Sequence, residues 1–200
     1  MVWDNTWEEF YANGGGNRYP EPAVIRFVMS RFSKSAEKHK VNILDLGVGT
    51  GGNLWFLARE GFCAYGIDGS AAAVQEARQM LDTERLTAMV SEGEFNKLPY
   101  DDDMFDAVID CASIQHNSPP EVDKILEEIW RVLRPGGHLF SMILEEDNDL
   151  SAKEFVTSRF NKEKITRSFS RFNNIAIDHY YYTEGSATRS IRFLLVCADK

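Results

Sequence analysis

The sequence predicts an α/β fold, a doubly wound and mostly parallel seven-stranded sheet with an antiparallel C-terminal strand, entered through an N-terminal helical lid. Three observations predict it. From Val41 onward, short apolar runs alternate with amphipathic stretches, the order that specifies parallel strands with helices on both faces. The first of these runs ends in a glycine-rich turn that opens a helix. The last two runs are joined by a short polar segment, Thr183 to Arg189, which makes a terminal hairpin and breaks the parallel order.

Each element has its own signal. Residues 1–19 are rich in Trp, Tyr, Asn and Gly and carry neither helical nor strand periodicity, so they are expected to form an arm. Pro20 and Pro22 then precede Val24, Phe27, Val28 and Phe32, whose spacing gives one apolar helix face with prolines at its start. Strands are expected at 41–46, 62–67, 86–91, 105–111 and 138–144, with helices at 53–60, 71–81 and 121–133 between them. Gly61 is placed to end the first of those helices and Ser70 to cap the second. Ser151 and Glu154 form a capping box for a further helix, another is expected at 162–169, and the closing strands fall at 175–182 and 190–198. With 200 residues, 44% of them hydrophobic, the chain supports one core. The expected organisation is a single domain over 1–200, with 1–40 as arm and helix acting as a lid and 41–200 as the core.

The net charge of -9 disfavours binding to phosphate backbones, which needs clustered Lys and Arg, so nucleic acid is not an expected partner. Cys63, Cys111 and Cys197 are odd in number, far apart and flanked by apolar residues, which suits free thiols in a reducing cytoplasm better than disulfides or zinc. No stretch approaches the roughly 20 apolar residues of a membrane span, and the N-terminus lacks a signal-peptide pattern. Oligomeric state leaves no trace in the sequence.

The segment carrying chemistry is Val41-Asn42-Ile43-Leu44-Asp45-Leu46-Gly47-Val48-Gly49-Thr50-Gly51-Gly52-Asn53, a buried strand running through glycines into a helix. Glycines there let backbone N–H groups approach a ligand at a helix N-terminus. Asp68, ending the next strand, faces the same crevice and suits ribose hydroxyls. By itself this pattern also satisfies a dinucleotide site, since Gly47-x-Gly49-x-x-Gly52 precedes an acid.

From Val41 through Leu144 the sequence resembles the class I, Rossmann-like S-adenosylmethionine-dependent methyltransferases, with the family's motifs in order. LDLGVGTGGN is similar to the first motif, with Asp45 as the acid two places before the first glycine. YGIDGS resembles the second, with Asp68 as the ribose-binding acid, and Glu92-Gly93-Glu94-Phe95 the third. FDAVID and RVLRPGG resemble the fourth strand and the turn into the fifth. The resemblance implies S-adenosylmethionine as cofactor and methyl transfer as activity. It implies that Asp45 organises the methionine amino group near Gly47, Gly49 and Asn53. Asp68 and Gly69 would then hold the ribose, Glu94 would accept from the adenine amino group, and Phe95 would pack near the ring. An NAD-dependent reductase, the competing reading, needs a pair such as Tyr-x-x-x-Lys, and the sequence has none. A module that binds the cofactor without chemistry is the third reading.

Methyl transfer is an in-line displacement, so the acceptor must be aligned and, for a hydroxyl, deprotonated. The edge after the fourth strand reads Asp110-Cys111-Ala112-Ser113-Ile114-Gln115-His116-Asn117. His116 is the candidate general base, against the alternative of a packing or capping histidine. Asp110 is expected to line the cofactor pocket or to cap the next turn. Asp101-Asp102-Asp103 reads as a solvated turn, not a metal site. In the arm, Arg18 is available to the methionine carboxylate with Tyr19 beside it, while Tyr182 and Arg189 are expected at the acceptor. The acceptor is expected to be a small molecule methylated on oxygen, with nitrogen and carbon as the alternatives.

Overall fold

The computed structural model describes residues 5–147, 158–183 and 190–200. The expected capping box at Ser151 and Glu154 lies outside these residues, as does Arg189. The elements are α1 (Asn5–Ala12), α2 (Pro22–Phe32), β1 (Asn42–Leu46), α3 (Gly52–Arg59), β2 (Cys63–Asp68), α4 (Ala71–Glu84), β3 (Met89–Glu92), β4 (Phe105–Cys111), α5 (Pro119–Val132), β5 (Leu133–Leu144), α6 (Lys162–Ser168), β6 (Asn173–Thr183) and β7 (Ser190–Asp199).

All seven strands join one sheet in the order β3-β2-β1-β4-β5-β7-β6. β1 to β5 pair in parallel, whereas β7 runs antiparallel to both of its neighbours. The expected doubly wound sheet with an antiparallel C-terminal strand is thus the fold observed. The order reverses between β1 and β4, and ligands of such sheets gather in the crevice at the carboxyl ends on either side of that point.

Alternation along each strand feeds two cores. Leu44, Leu46 and Val108 face the side covered by α5 and α6, while Ile43, Ala107 and Ile109 face α2 and α3. Helix α5 is held by Val122, Ile125, Leu126, Ile129 and Val132, one buried stripe at helical spacing behind prolines in its first turn. Ser70 caps α4 by accepting from the Ala73 N–H at 3.1 Å, and Gly61 leaves α3 at φ +87°, both as expected.

Three departures have local causes. Residues 5–12 form a helix where the composition gave no periodicity. Eight residues are too few for a helix to stand on propensity, and contacts to the core supply what the pattern lacks. β3 starts at Met89 instead of 86, because α4 runs on to Glu84 and exits through Arg85 at φ +55°, and pairing to β2 begins only at Tyr65↔Met89. β5 starts at Leu133 instead of 138. Leu133 pairs with Phe105, and the register then shifts so that the Pro135-Gly136-Gly137 turn bulges inside the strand.

Candidate cofactor and acceptor site

The glycine turn after β1 closes against the end of β2. Gly47 and Val48 donate to the Ile67 carbonyl at 2.8 and 3.1 Å. Gly47 has φ +80°, and a Cβ there would meet the Ser113 hydroxyl oxygen at 2.0 Å, so no other residue fits. Gly49 donates to Asp68 Oδ2 at 2.8 Å, and Ser70 donates to Asp68 Oδ1 at 2.9 Å. Asp68 therefore ties the turn to the start of α4. Burial raises its pKa, and the N–H groups of Ser70, Gly49 and Gly69 partly restore it.

Asp45 is 1% exposed, and neither carboxylate oxygen meets a donor at hydrogen-bond geometry. Burial, then the nearby charge of Asp68, pushes its pKa up to about 8, although the Asn53 side chain and the Leu54 N–H lie close enough to oppose the shift. Asn53 is otherwise engaged through its Oδ1, which accepts from the Glu21 N–H at 2.9 Å. A buried carboxylate without a donor is costly unless a cationic ligand supplies one.

Asp110, at the end of β4, is as deeply buried but fully engaged. Its Oδ1 accepts from the N–H groups of Ser113 and Ile114 at 2.9 and 3.1 Å, and its Oδ2 accepts from the Ser141 hydroxyl. Burial still raises its pKa, to about 6. These bonds give Asp110 the turn-capping role, one of the two expected for it. The register explains the contrast with Asp45. Asp110 pairs with Leu46, so it points to the α5 face, while Asp45 pairs with Gly66 and Ile109 and points toward α3.

The capped turn leaves β4 through Ala112 at φ +63° and carries His116. It is stitched to the end of β5 where Gln115 Oε1 accepts from the Leu144 N–H at 2.6 Å. The His116 ring lies 4.5 Å from the Trp7 ring in an edge-on arrangement, which puts the histidine at the crevice rim beneath α1. Phe95 is buried, its ring tip 3.6 Å from where a Gly47 Cβ would sit, while the neighbouring Glu94 is exposed.

Helix α1 contributes Tyr11, one of the arm aromatics expected to close over the site, and Glu8, which the sequence did not single out. Glu8 accepts from the Ser70 hydroxyl at 2.6 Å and faces the Ala72 N–H at 3.2 Å. The Tyr11 hydroxyl stands 3.0 Å from the position of a Gly49 Cβ. Tyr11 was visible in the sequence only as one aromatic of the arm, and no local signal marks Glu8, because its partners lie more than 60 residues away. Arg18 pairs with Glu76 at 2.7 Å and lines a groove between α3 and α4, and Tyr19 is 77% exposed. Tyr182 lies in β6. Of the acidic run, Asp102 pairs with Arg131 and Asp103 with Lys200, and among the described residues no cluster of His, Cys, Asp or Glu could hold a metal. Cys63, Cys111 and Cys197 are free and half-buried.

Residues 43–137 match the family model described as a methyltransferase domain. The glycine/sarcosine/dimethylglycine N-methyltransferase of Actinopolyspora halophila is 36% identical over 101 residues, a match spanning 49% of this chain and 18% of that relative. The demethylmenaquinone methyltransferase of Clavibacter sepedonicus is 35% identical over 97 residues, 48% of this chain and 38% of its own. The chain thus spans well under half the length of these curated relatives. Its fold superposes on a solved S-adenosylmethionine-dependent methyltransferase from Methanosarcina mazei with a TM-score of 0.69 at 20% identity, covering 91% of this chain and 98% of that one. No described helix is long and apolar enough to cross a membrane.

Proposed function

We infer that this chain, whose residues 43–137 match a methyltransferase-domain model, is a class I methyltransferase that binds S-adenosylmethionine and transfers its methyl group to a small-molecule acceptor. The observation that carries the reading is Asp45, a buried carboxylate held without a donor beside the glycine turn. The methionine ammonium is the cation that suits it. Asp68 keeps lone pairs beyond its two backbone bonds and can accept from ribose hydroxyls. Phe95 offers an apolar surface near the adenine, with Glu94 exposed beside it for the amino group, so the residues present fit the group. Bound, it supplies a methyl on a positively charged sulfur.

The chain's own work is to bind, align and exclude water. His116, on the turn that Asp110 caps, is the group we assign to accept a proton from an acceptor hydroxyl, making the transfer an O-methylation. Tyr182, in β6, and Arg189, which precedes β7 in the sequence, are assigned to the acceptor, and Arg18 and Tyr19 to the methionine end. Three free thiols support a cytoplasmic setting.

Calorimetry with S-adenosylhomocysteine and NAD, followed by S-adenosylhomocysteine release across hydroxylated and amine acceptors, tests this. Micromolar binding of S-adenosylhomocysteine and turnover of a hydroxylated acceptor that His116→Ala slows at least tenfold are expected. Binding of NAD alone would sink the reading, and cofactor binding without any turnover would leave a binding module in its place.

A further inference from the structure

We propose that α1 completes the cofactor site, with Tyr11 as a direct wall of it and Glu8 as the positioning residue whose grip on Ser70 and Ala72 holds α1 shut. The inference rests on the cofactor reading above and goes beyond it to how the cofactor is retained.

The Tyr11 hydroxyl reaches contact distance of the glycine turn at Gly49, the residue whose N–H is fixed by Asp68. A ligand lying along that turn is therefore beneath α1. Burial and the charges of Asp68 and Asp45 raise the Tyr11 pKa far above that of an ordinary phenol, so the group facing the crevice is a neutral hydroxyl. An eight-residue helix does not persist in this position by itself. It is held at one end of the crevice by Trp7 against His116 and at the other by Glu8 at the N-terminus of α4. The Glu8 contact is the stronger kind, a carboxylate accepting from a hydroxyl at 2.6 Å and close to a helix N–H where the dipole favours negative charge. Thr50, in the glycine turn itself, donates to the Asn17 carbonyl at 2.6 Å, so the segment after α1 is pinned to the same turn.

Ligand exchange then requires α1 to lift, and the strength of the Glu8 contact sets how often it does. The test is stopped-flow binding of S-adenosylhomocysteine to the full chain, followed by intrinsic tryptophan fluorescence, in the native protein and in Glu8→Ala, Glu8→Gln and Tyr11→Phe. Glu8→Ala is expected to speed release about tenfold without lowering the association rate, a split that a general folding defect would not produce. Glu8→Gln, which keeps the shape and loses the charge, should fall between the two. Tyr11→Phe should weaken binding about fivefold. Release from Glu8→Ala within twofold of native overturns the latch, and tighter binding overturns it in favour of α1 as a plug. Failure of the native protein to bind overturns the cofactor reading and this inference together.

Discussion

Asp45 and Asp110 sit one residue out of step on neighbouring parallel strands, both almost wholly removed from water, and their surroundings differ in kind. Asp110 receives three donors from its own chain and uses them to shape the turn carrying His116. Asp45 receives none at bonding geometry, and its pKa is displaced further, to about 8 against about 6. Burial alone therefore says little about what a carboxylate is for. The number of donors the fold itself supplies separates an acid that serves the fold from one the fold leaves unpartnered.

The comparison breaks most easily at Asp110. Asp110→Ala strands two buried N–H groups and a hydroxyl, and is expected to cost ~3 kcal/mol of stability, read as a lower midpoint in denaturant. If it costs nothing, Asp110 does not hold the turn.

Asp45 should behave in the opposite sense. Asp45→Asn removes a charge the apo protein accommodates poorly, so at pH 8 it should raise the stability of the unliganded chain by ~2 kcal/mol while weakening S-adenosylhomocysteine binding about a hundredfold. The pH dependence has a definite sign. A carboxyl whose folded pKa lies above its unfolded value binds its proton more tightly when folded, so its stabilising share is complete below about pH 4 and is lost as pH rises toward 8. Affinity runs the other way, strengthening as Asp45 ionises. Melting and titration series from pH 5 to 9 check both, and parallel trends in the two would remove the distinction.

The smallest effect lies just past Asp110. Ala112 holds φ +63°, a conformation that costs an L-residue about 1 kcal/mol, so Ala112→Gly should be neutral or stabilise by ~0.5 kcal/mol after the added freedom of the unfolded chain. A clear loss would mean that the Ala112 methyl contributes more to packing than its backbone costs.

Much of this was legible in the residue order. The central strands and the helices α2 to α5 were readable because alternation, caps and the glycine turn are local signals, and Ser70 and Gly61 act where they were expected to. The places of Asp45 and Asp68 beside the turn were readable because each sits at a fixed offset from it. Which face of the sheet Asp110 points to was not readable, since that requires the register of β4 against β1, which residues far apart decide together. That Asn5–Ala12 form a helix was not legible. Its eight residues have too short a pattern, and what orders them is Glu8 on Ser70 and Trp7 on His116, contacts spanning 62 and 109 positions.

The antiparallel strand β7 also bears on how the sheet comes to exist. β6 precedes β7 in the chain yet bonds to the sheet only through it, because β7 occupies the place next to β5. As the chain is made, β1 to β5 can condense in the order they emerge, but β6 has nowhere to go until β7 arrives and inserts. For that interval the flank of β5 presents unpaired backbone N–H and C=O groups, the kind of open edge on which other chains can pair.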